Sequence, residues 1–447
     1  MRSLATSEQP LVRGVSHAIA SLGARSRARQ VLRVTYRMGA APSAVLPLVK
    51  DSPNFHDGRF AGDEPSLRPR VRAQTSALIA AIRVHGRGTP AGEVPLARAE
   101  PPAEPGALAV TWYGHATSVV EIDGVRLLID PVFGERVSPV KSTGPKRMHP
   151  TPGSIAELPS IDAVLISHDH YDHLDQPSIA ELERTHRPRY VVPLGVNAHL
   201  LAWGVPADRI TALDWRGETE VSGIRLTCTE ARHNSGRGVV DSQTLWAGWA
   251  MRGPGHSVYF AGDSGTSKRF ADIGADLGPF DLTLMPIGAY DSFWPDIHMT
   301  PEQAIGAHRD VNRLGDDPDA VVADEAGATD DALPGDQRVD TPGGEHEEGE
   351  RSGSTRTVDT AARESLLVPV HWATFNLSTH WWAEPVRRLR RAADAAGVPV
   401  AHPRVGERVD LTDGTVREVS ERFAEQWWTV CAAPGDVDDP EDLGPAR

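Results

Sequence analysis

The sequence predicts an α/β layered domain. Three features point there. Apolar strand-like runs alternate with helical segments, tight turns join neighbouring strands, and one buried-strand run ends in a loop crowded with histidine and aspartate. That loop organises the chain. Ala163-Val164-Leu165-Ile166 leads into Ser167-His168-Asp169-His170-Tyr171-Asp172-His173-Leu174-Asp175. His168, His170, Asp172 and His173 form the pattern H-x-H-x-D-H. Neutral imidazole nitrogens and a carboxylate oxygen suit zinc and its first-row neighbours. A tight loop after a strand can aim His168 and His170 at one ion, and Asp172 and His173 at another.

The 447 residues suffice for one large domain with additions, or for two domains. No apolar run approaches the length that spans a bilayer. Two cysteines, Cys228 and Cys431, make no disulfide framework and fit a reducing, cytoplasmic setting. A net charge of -15 argues against a general nucleic-acid binder.

In chain order, residues 1–106 read as an arginine-rich extension and lead-in. Arg2, Arg13, Arg25, Arg27, Arg29, Arg33 and Arg37 face one acid, Glu8, with no long apolar stretch of the secretory kind. Such a segment is either a loose tail or a peripheral contact with anionic membrane. A turn-rich lead-in follows around Asn54 to Phe60, then a helix over Ser76 to Val84. A Pro/Gly-rich linker spans Gly86 to Pro105.

The main domain is expected over 107–433. Strands are read at Leu108 to Trp112, Ser118 to Ile122 and Val125 to Ile129, the last two forming a hairpin through Asp123-Gly124. The metal-loop strand comes next, then a helix over Pro177 to Arg184 and a strand at Tyr190 to Pro193. Further strands are read at Ile224 to Thr229, Leu245 to Met251, Ser257 to Ala261 and Leu282 to Pro286. Thr300-Pro301-Glu302-Gln303 opens a helix, with threonine as cap, proline in the first turn and an acid at the positive end.

Composition breaks at 315–363. Fourteen Asp or Glu stand there against four Arg, with few large apolar residues. Such a segment cannot bury enough apolar surface to offset its ordering entropy, so it is read as an acidic disordered insert. Order resumes with a strand at Ser365 to Val370, a helix over Trp382 to Ala396, a short strand at Val398 to Ala401 and a strand-plus-helix region over Thr415 to Val430. Residues 434–447 read as an acidic tail.

More candidate ligands stand at strand ends. His233 lies just past Arg225 to Thr229. Asp263 follows Val258-Tyr259-Phe260-Ala261-Gly262, where glycine lets the backbone pass close to an ion. His371 follows Leu366 to Val370. Seven groups suit two adjacent metals bridged by one carboxylate. His168, His170 and His233 would hold one ion, Asp172, His173 and His371 the other, with Asp263 between.

The set resembles the metallo-β-lactamase superfamily of binuclear hydrolases, and within it the N-acyl-phosphatidylethanolamine-hydrolysing phospholipase D branch. The resemblance rests on the H-x-H-x-D-H loop with Ile161 to Asp175, and on Gly114-His115-Ala116-Thr117, Gly144-Pro145-Lys146-Arg147 and Pro193-Leu194-Gly195. Downstream it rests on Phe260-Ala261-Gly262-Asp263, Gly278 to Leu282, Pro286 to Tyr290, His298 with Pro301 to Ala304, and His371 to Phe375 with Glu384-Pro385. It covers roughly residues 54–410, apart from the insert. The arginine-rich start, the insert and Ser378 to Trp382 depart from the branch. Trp381 and Trp382 read as core packing, or else as a lipid-facing patch.

The resemblance implies a four-layer αββα sandwich with two Zn2+, or another first-row divalent metal, at one sheet edge. It supports the seven ligands. It also implies that His298 lies near a substrate phosphate, where it steadies a phosphoryl oxygen or protonates the leaving group. His115 and Asp130 are read as partners that orient the ligands. Two metals about 3.5 to 4 Å apart would share a bridging hydroxide that attacks phosphorus or an acyl carbon, with Asp263 helping to orient it. The expected activity is phosphodiester hydrolysis of the phospholipase D type on N-acyl-phosphatidylethanolamine-like phospholipids. The alternative is a soluble hydrolase of another ester or a sugar-acid lactone, since one fold serves many reactions. A third possibility is a non-enzymatic metal-binding module, which the complete ligand set disfavours.

Overall fold

The computed structural model describes residues 37–62, 64, 87–238, 241–312, 364–433 and 436. The arginine-rich start up to residue 36, the helix expected over Ser76 to Val84 and the insert 315–363 lie outside the described residues. A short helix, Pro42–Val49, and a hairpin of β1 (Phe55–His56) and β2 (Arg59–Phe60) come first. Val45, Val49 and Phe60 cluster with Leu245 and Trp246, so this lead-in is seated on the main domain.

Two mixed sheets form that domain. The first contains β3 (Leu108–Gly114), β4 (Thr117–Ile122), β5 (Val125–Ile129), β6 (Ala163–Leu165), β7 (Arg189–Pro193), β8 (Ile210–Leu213) and β15 (Arg408–Asp410), in the order β15-β3-β4-β5-β6-β7-β8. The second contains β9 (Glu218–Val221), β10 (Ile224–Thr229), β11 (Gly248–Arg252), β12 (Ser257–Phe260), β13 (Leu282–Pro286) and β14 (Leu366–Val370), in the order β14-β13-β12-β11-β10-β9. Each sheet is antiparallel at one end and parallel at the other.

Side chains alternate between the two faces of each strand, which creates the layers. Along β5, Leu127 and Ile129 join the core shared with Leu226, Trp249 and Met251 of the second sheet. Leu128 between them joins Ile179 and Leu182 of helix Gln176–Thr185 and Val196 and Leu200 of helix Val196–Ala202. Helices Arg269–Leu277 and Pro301–Val311 cover the second sheet through Phe270, Ile273 and Ala304. The result is helix, sheet, sheet, helix: the αββα sandwich. Thr300 caps its helix, as the sequence pattern predicts, and Gln303 returns a bond to the Thr300 backbone, which completes a reciprocal pair.

Strand direction positions the site. β3, β5 and β6 run one way in the first sheet, and β10, β12 and β14 share a direction in the second. The loops after their carboxyl ends carry His115, Asp130, His168 to His173, His233, Asp263 and His371. In open α/β sheets, ligands bind beyond these ends.

Several elements differ from expectation. Val398 to Ala401 is not a strand; it forms only one bridge, Leu367 to Val400. Thr415 to Val430 contains helix Val416–Arg422 and a 3-10 turn, Trp427–Val430, but no strand; the strand of that region is β15, which pairs with β3. Helix Arg269–Leu277 has no side-chain cap, so no start signal announces it. Its Gly274 permits a close crossing, since a Cβ there would meet the Asp310 carbonyl at 2.2 Å. Trp382 is buried and donates to the Ala373 carbonyl at 3.1 Å, so it is core. Trp381 is half-buried beneath the Arg87 guanidinium, 4.9 Å from the ring centre. Within the stretch read as a tail, Asp436 is fully buried and accepts from Ala383 N at 2.8 Å and from Arg387 at 3.1 Å. Among the described residues no helix is long and apolar enough to cross a membrane.

Candidate metal centre

The loop after β6 is a tight turn. His173 N and Leu174 N both donate to the His170 carbonyl, at 3.1 and 2.9 Å. Asp175 then caps helix Gln176–Thr185 through Ser178 N at 3.2 Å. The loop is thereby pinned between a buried strand and a capped helix.

Donor atoms from distant segments converge on it. His168, His170 and His233 form one set, and His115, Asp172, His173 and His371 another. His170 Nδ1 lies 2.8 Å from His168 Nε2 and 3.3 Å from His233 Nε2. His173 Nε2 lies 3.2 Å from His371 Nε2. Asp263 Oδ2 sits amid both sets: 3.0 Å from His371, 3.1 Å from His173, 3.7 Å from His233 and 3.8 Å from His168. His298 Nδ1 is 4.0 Å from the same oxygen.

Hydrogen bonds fix which nitrogen faces inward. The Ile297 carbonyl can only accept, so His233 Nδ1, at 2.9 Å, carries a proton and Nε2 presents a lone pair. His173 Nδ1 donates to Asp130 Oδ2 at 2.7 Å, leaving its Nε2 free as well. Ser167 Oγ donates to Asp130 Oδ2 at 2.6 Å and so accepts from His168 Nδ1 at 2.9 Å, which turns a third lone pair inward. Asp130 therefore orients two inward-facing imidazoles at once and also takes Ser167 N at 2.7 Å. His115 Nε2 meets Asp172 Oδ2 at 2.9 Å, and its backbone oxygen accepts from His371 N at 2.9 Å.

Lone pairs and carboxylates aimed at a common point repel one another unless a cation lies among them. Electrostatics agree with that demand. Burial pushes His168 and His233 well below the ordinary imidazole range and takes His115 and His298 down to about 3. Burial also opposes charge on His371, but Asp263 and Asp172 outweigh it and raise it to about 9; His173 goes up for the same reasons. Burial likewise opposes ionisation of Asp263 and Asp172, yet the surrounding imidazoles hold both well below the usual carboxylate range. Two anions thus draw positive charge into a dry centre, and a divalent cation satisfies them with every imidazole neutral. The residues fit a metal.

His115, Asp130 and His371 have positive φ, 54°, 41° and 62°. Such backbone costs roughly 1–3 kcal/mol each for a side-chain-bearing residue and collects at functional sites. At Gly262, a Cβ would meet the Ala247 carbonyl at 2.5 Å and Ser167 Cβ at 3.2 Å, so glycine there permits the crossing of two chain segments. Sequence reasoning missed Ser167, which adjoins His168, and Thr374, whose Oγ1 accepts from His115 N at 2.7 Å. Ser167 directly precedes a candidate ligand and Thr374 lies three residues past another, His371, and that proximity was the available signal.

A two-sheet sandwich whose strand ends gather imidazoles and carboxylates in a dry pit defines a metal-dependent hydrolase. Residues 125–317 match the family described as Beta-lactamase superfamily domain. An uncharacterized protein of Mycobacterium tuberculosis is 42% identical over 88% of this chain and 92% of its own length. N-acyl-phosphatidylethanolamine-hydrolyzing phospholipase D 1 of Caenorhabditis elegans is 38% identical over 45% of this chain and 60% of its length. The mitochondrial enzyme of that name from Saccharomyces cerevisiae is 31% identical over 45% of this chain and 44% of its length. The chain thus spans about half the length of the two phospholipase relatives. Through residues 125–317 it belongs to the metallo-β-lactamase superfamily, and over 45% of its length it is similar to the N-acyl-phosphatidylethanolamine-hydrolysing phospholipase D branch.

Proposed function

We propose that this chain is a binuclear zinc-dependent phosphodiesterase of the phospholipase D type, acting on N-acyl-phosphatidylethanolamine-like phospholipids. The observation that carries the reading is the position of Asp263 Oδ2, within 4.0 Å of ring nitrogens of both donor sets and of His298. In this reading His168, His170 and His233 would hold one ion and Asp172, His173 and His371 the other, with Asp263 available to either. When bound, the ions supply Lewis-acid charge and acidify a water for attack. The similarity to the two phospholipase relatives supports a phospholipid substrate.

The chain's own residues supply orientation and a dry setting. Asp130 and the Ile297 carbonyl keep three imidazoles in one tautomer. Asp172 is steadied by His115. His298, neutral at pH 7 because burial lowers it to about 3, donates a hydrogen bond to a phosphoryl oxygen better than it delivers a proton. Water attacks phosphorus, the bond from phosphorus to the head-group alcohol breaks, and the alcohol leaves with a proton from solvent.

The test is a substrate panel on zinc-loaded protein: an N-acyl-phosphatidylethanolamine in mixed micelles, a chromogenic phosphodiester and a lactone. Release of the N-acylated amino alcohol, abolished in His168→Ala, supports the reading. Turnover of the lactone alone assigns the site to the ester and lactone alternative.

A further inference from the structure

The two ligand-bearing loops grip each other on the side away from the donor atoms. Asp169 sits between His168 and His170 in sequence, but its carboxylate faces elsewhere. Its Oδ1 accepts from Gly236 N at 2.6 Å and its Oδ2 lies 3.2 Å from His199 Nε2. His199 Nδ1 accepts from Ala40 N at 2.9 Å, so its Nε2 carries the proton and donates to Asp169. In return, Arg237, four residues beyond His233, sends Nη1 to the Asp169 and Leu174 carbonyls, both at 2.7 Å. Those two carbonyls bracket the segment that carries His170, Asp172 and His173. The guanidinium also donates to the Arg37 carbonyl at 2.8 Å and lies 4.1 Å over the Tyr171 ring, whose hydroxyl donates to the Arg237 carbonyl at 2.8 Å. Asp169 and Arg237 are both buried, 3% and 6% exposed.

We propose that Arg237 and Asp169 are a positioning pair that sets the separation of the 168–173 loop from the loop carrying His233, and so sets the affinity of the metal centre. The inference rests on the metal-centre reading above. Lysine at 237 keeps the charge but, as a compact head group, cannot span two carbonyls and a third acceptor with a planar fork. Residues that orient ligands typically govern affinity by about 10- to 100-fold.

The experiment compares zinc affinity, by competition with a chromophoric chelator, in wild type, Arg237→Lys and Arg126→Lys. Arg126 is the control: it is fully buried and donates to the Pro102 and Ser160 carbonyls, which border no ligand. The expected result is zinc binding weakened about 10- to 100-fold in R237K and unchanged in R126K, with metal-free melting temperatures lowered alike. R237K binding zinc as tightly as wild type, or R126K losing affinity equally, overturns the proposal. Should R237K fail to fold, Asp169→Asn takes its place: weakened binding supports the pair and wild-type binding overturns it. Wild type that takes up no zinc overturns the metal centre itself, and with it this inference. Failure of the pair alone leaves wild-type binding intact.

Discussion

The Asp130 carboxylate and the His173 imidazole meet at 2.7 Å with neither side chain exposed to solvent. Because the same carboxylate fixes Ser167 and through it His168, one residue on β5's exit orients an imidazole in each donor set. Asp130→Asn puts an amide donor against either Ser167 or the His173 N–H. Zinc affinity should fall about 10- to 100-fold. Chelator competition measures it, and unchanged affinity would show that the tautomer lock is dispensable.

His298 Nδ1 lies 4.0 Å from Asp263 Oδ2 and has no hydrogen-bond partner. His298→Ala should therefore retain the full zinc content while kcat falls about 10²- to 10³-fold, the range for removing one donor to a developing oxyanion. Elemental analysis and steady-state rates on the same sample check both halves. Loss of zinc would make His298 a ligand instead.

The acidic insert leaves and returns at one place. Asn312 Oδ1 accepts from Phe280 N at 2.8 Å, and Leu366 N donates to the Asp281 carbonyl at 3.0 Å, so neighbouring residues anchor the two flanks. Replacing Gly315 to Arg363 by a short Gly/Ser linker should leave the melting temperature and zinc content nearly as in the full chain. Insoluble protein would assign the insert a structural role.

Three buried histidines outside the donor sets make the fold acid-sensitive. Burial lowers His149, His308 and His402 each to about 4. Their folded values lie below the ordinary imidazole value of about 6.5, so the unfolded chain takes up more protons between those limits. Their contribution is complete above about pH 6.5 and is lost as pH falls toward about 4, by up to about 1.4 kcal/mol per unit for each. Urea midpoints across that window should drop steeply, and His308→Gln should flatten the slope. A slope unchanged in the variant would remove His308 from the explanation.

Much of this architecture was legible because apolar runs ended in unusual loops. Ile224 to Thr229 and Leu282 to Pro286 are strands over the expected residues, and the hairpin through Asp123-Gly124 forms as read. What escaped were elements without local signals. β8 and β9 are short, and all their residues but Val221 are half-buried or exposed, so alternation is weak. Val398 to Ala401 has the composition of a strand, but only Val400 finds a bridge partner. In the site, the residue types and spacing around His168 marked the centre, whereas the Arg237 and Asp169 grip spans 68 positions and leaves no pattern in either stretch alone.

The central claim is that strand ends far apart in sequence jointly hold two cations. The most direct measurement is the zinc stoichiometry of wild type, His233→Ala and His371→Ala after dialysis against limiting chelator. Two equivalents in wild type, falling to about one in each variant as one donor set is broken, is the predicted result. Wild type that retains no zinc, or both variants retaining the wild-type amount, would contradict it.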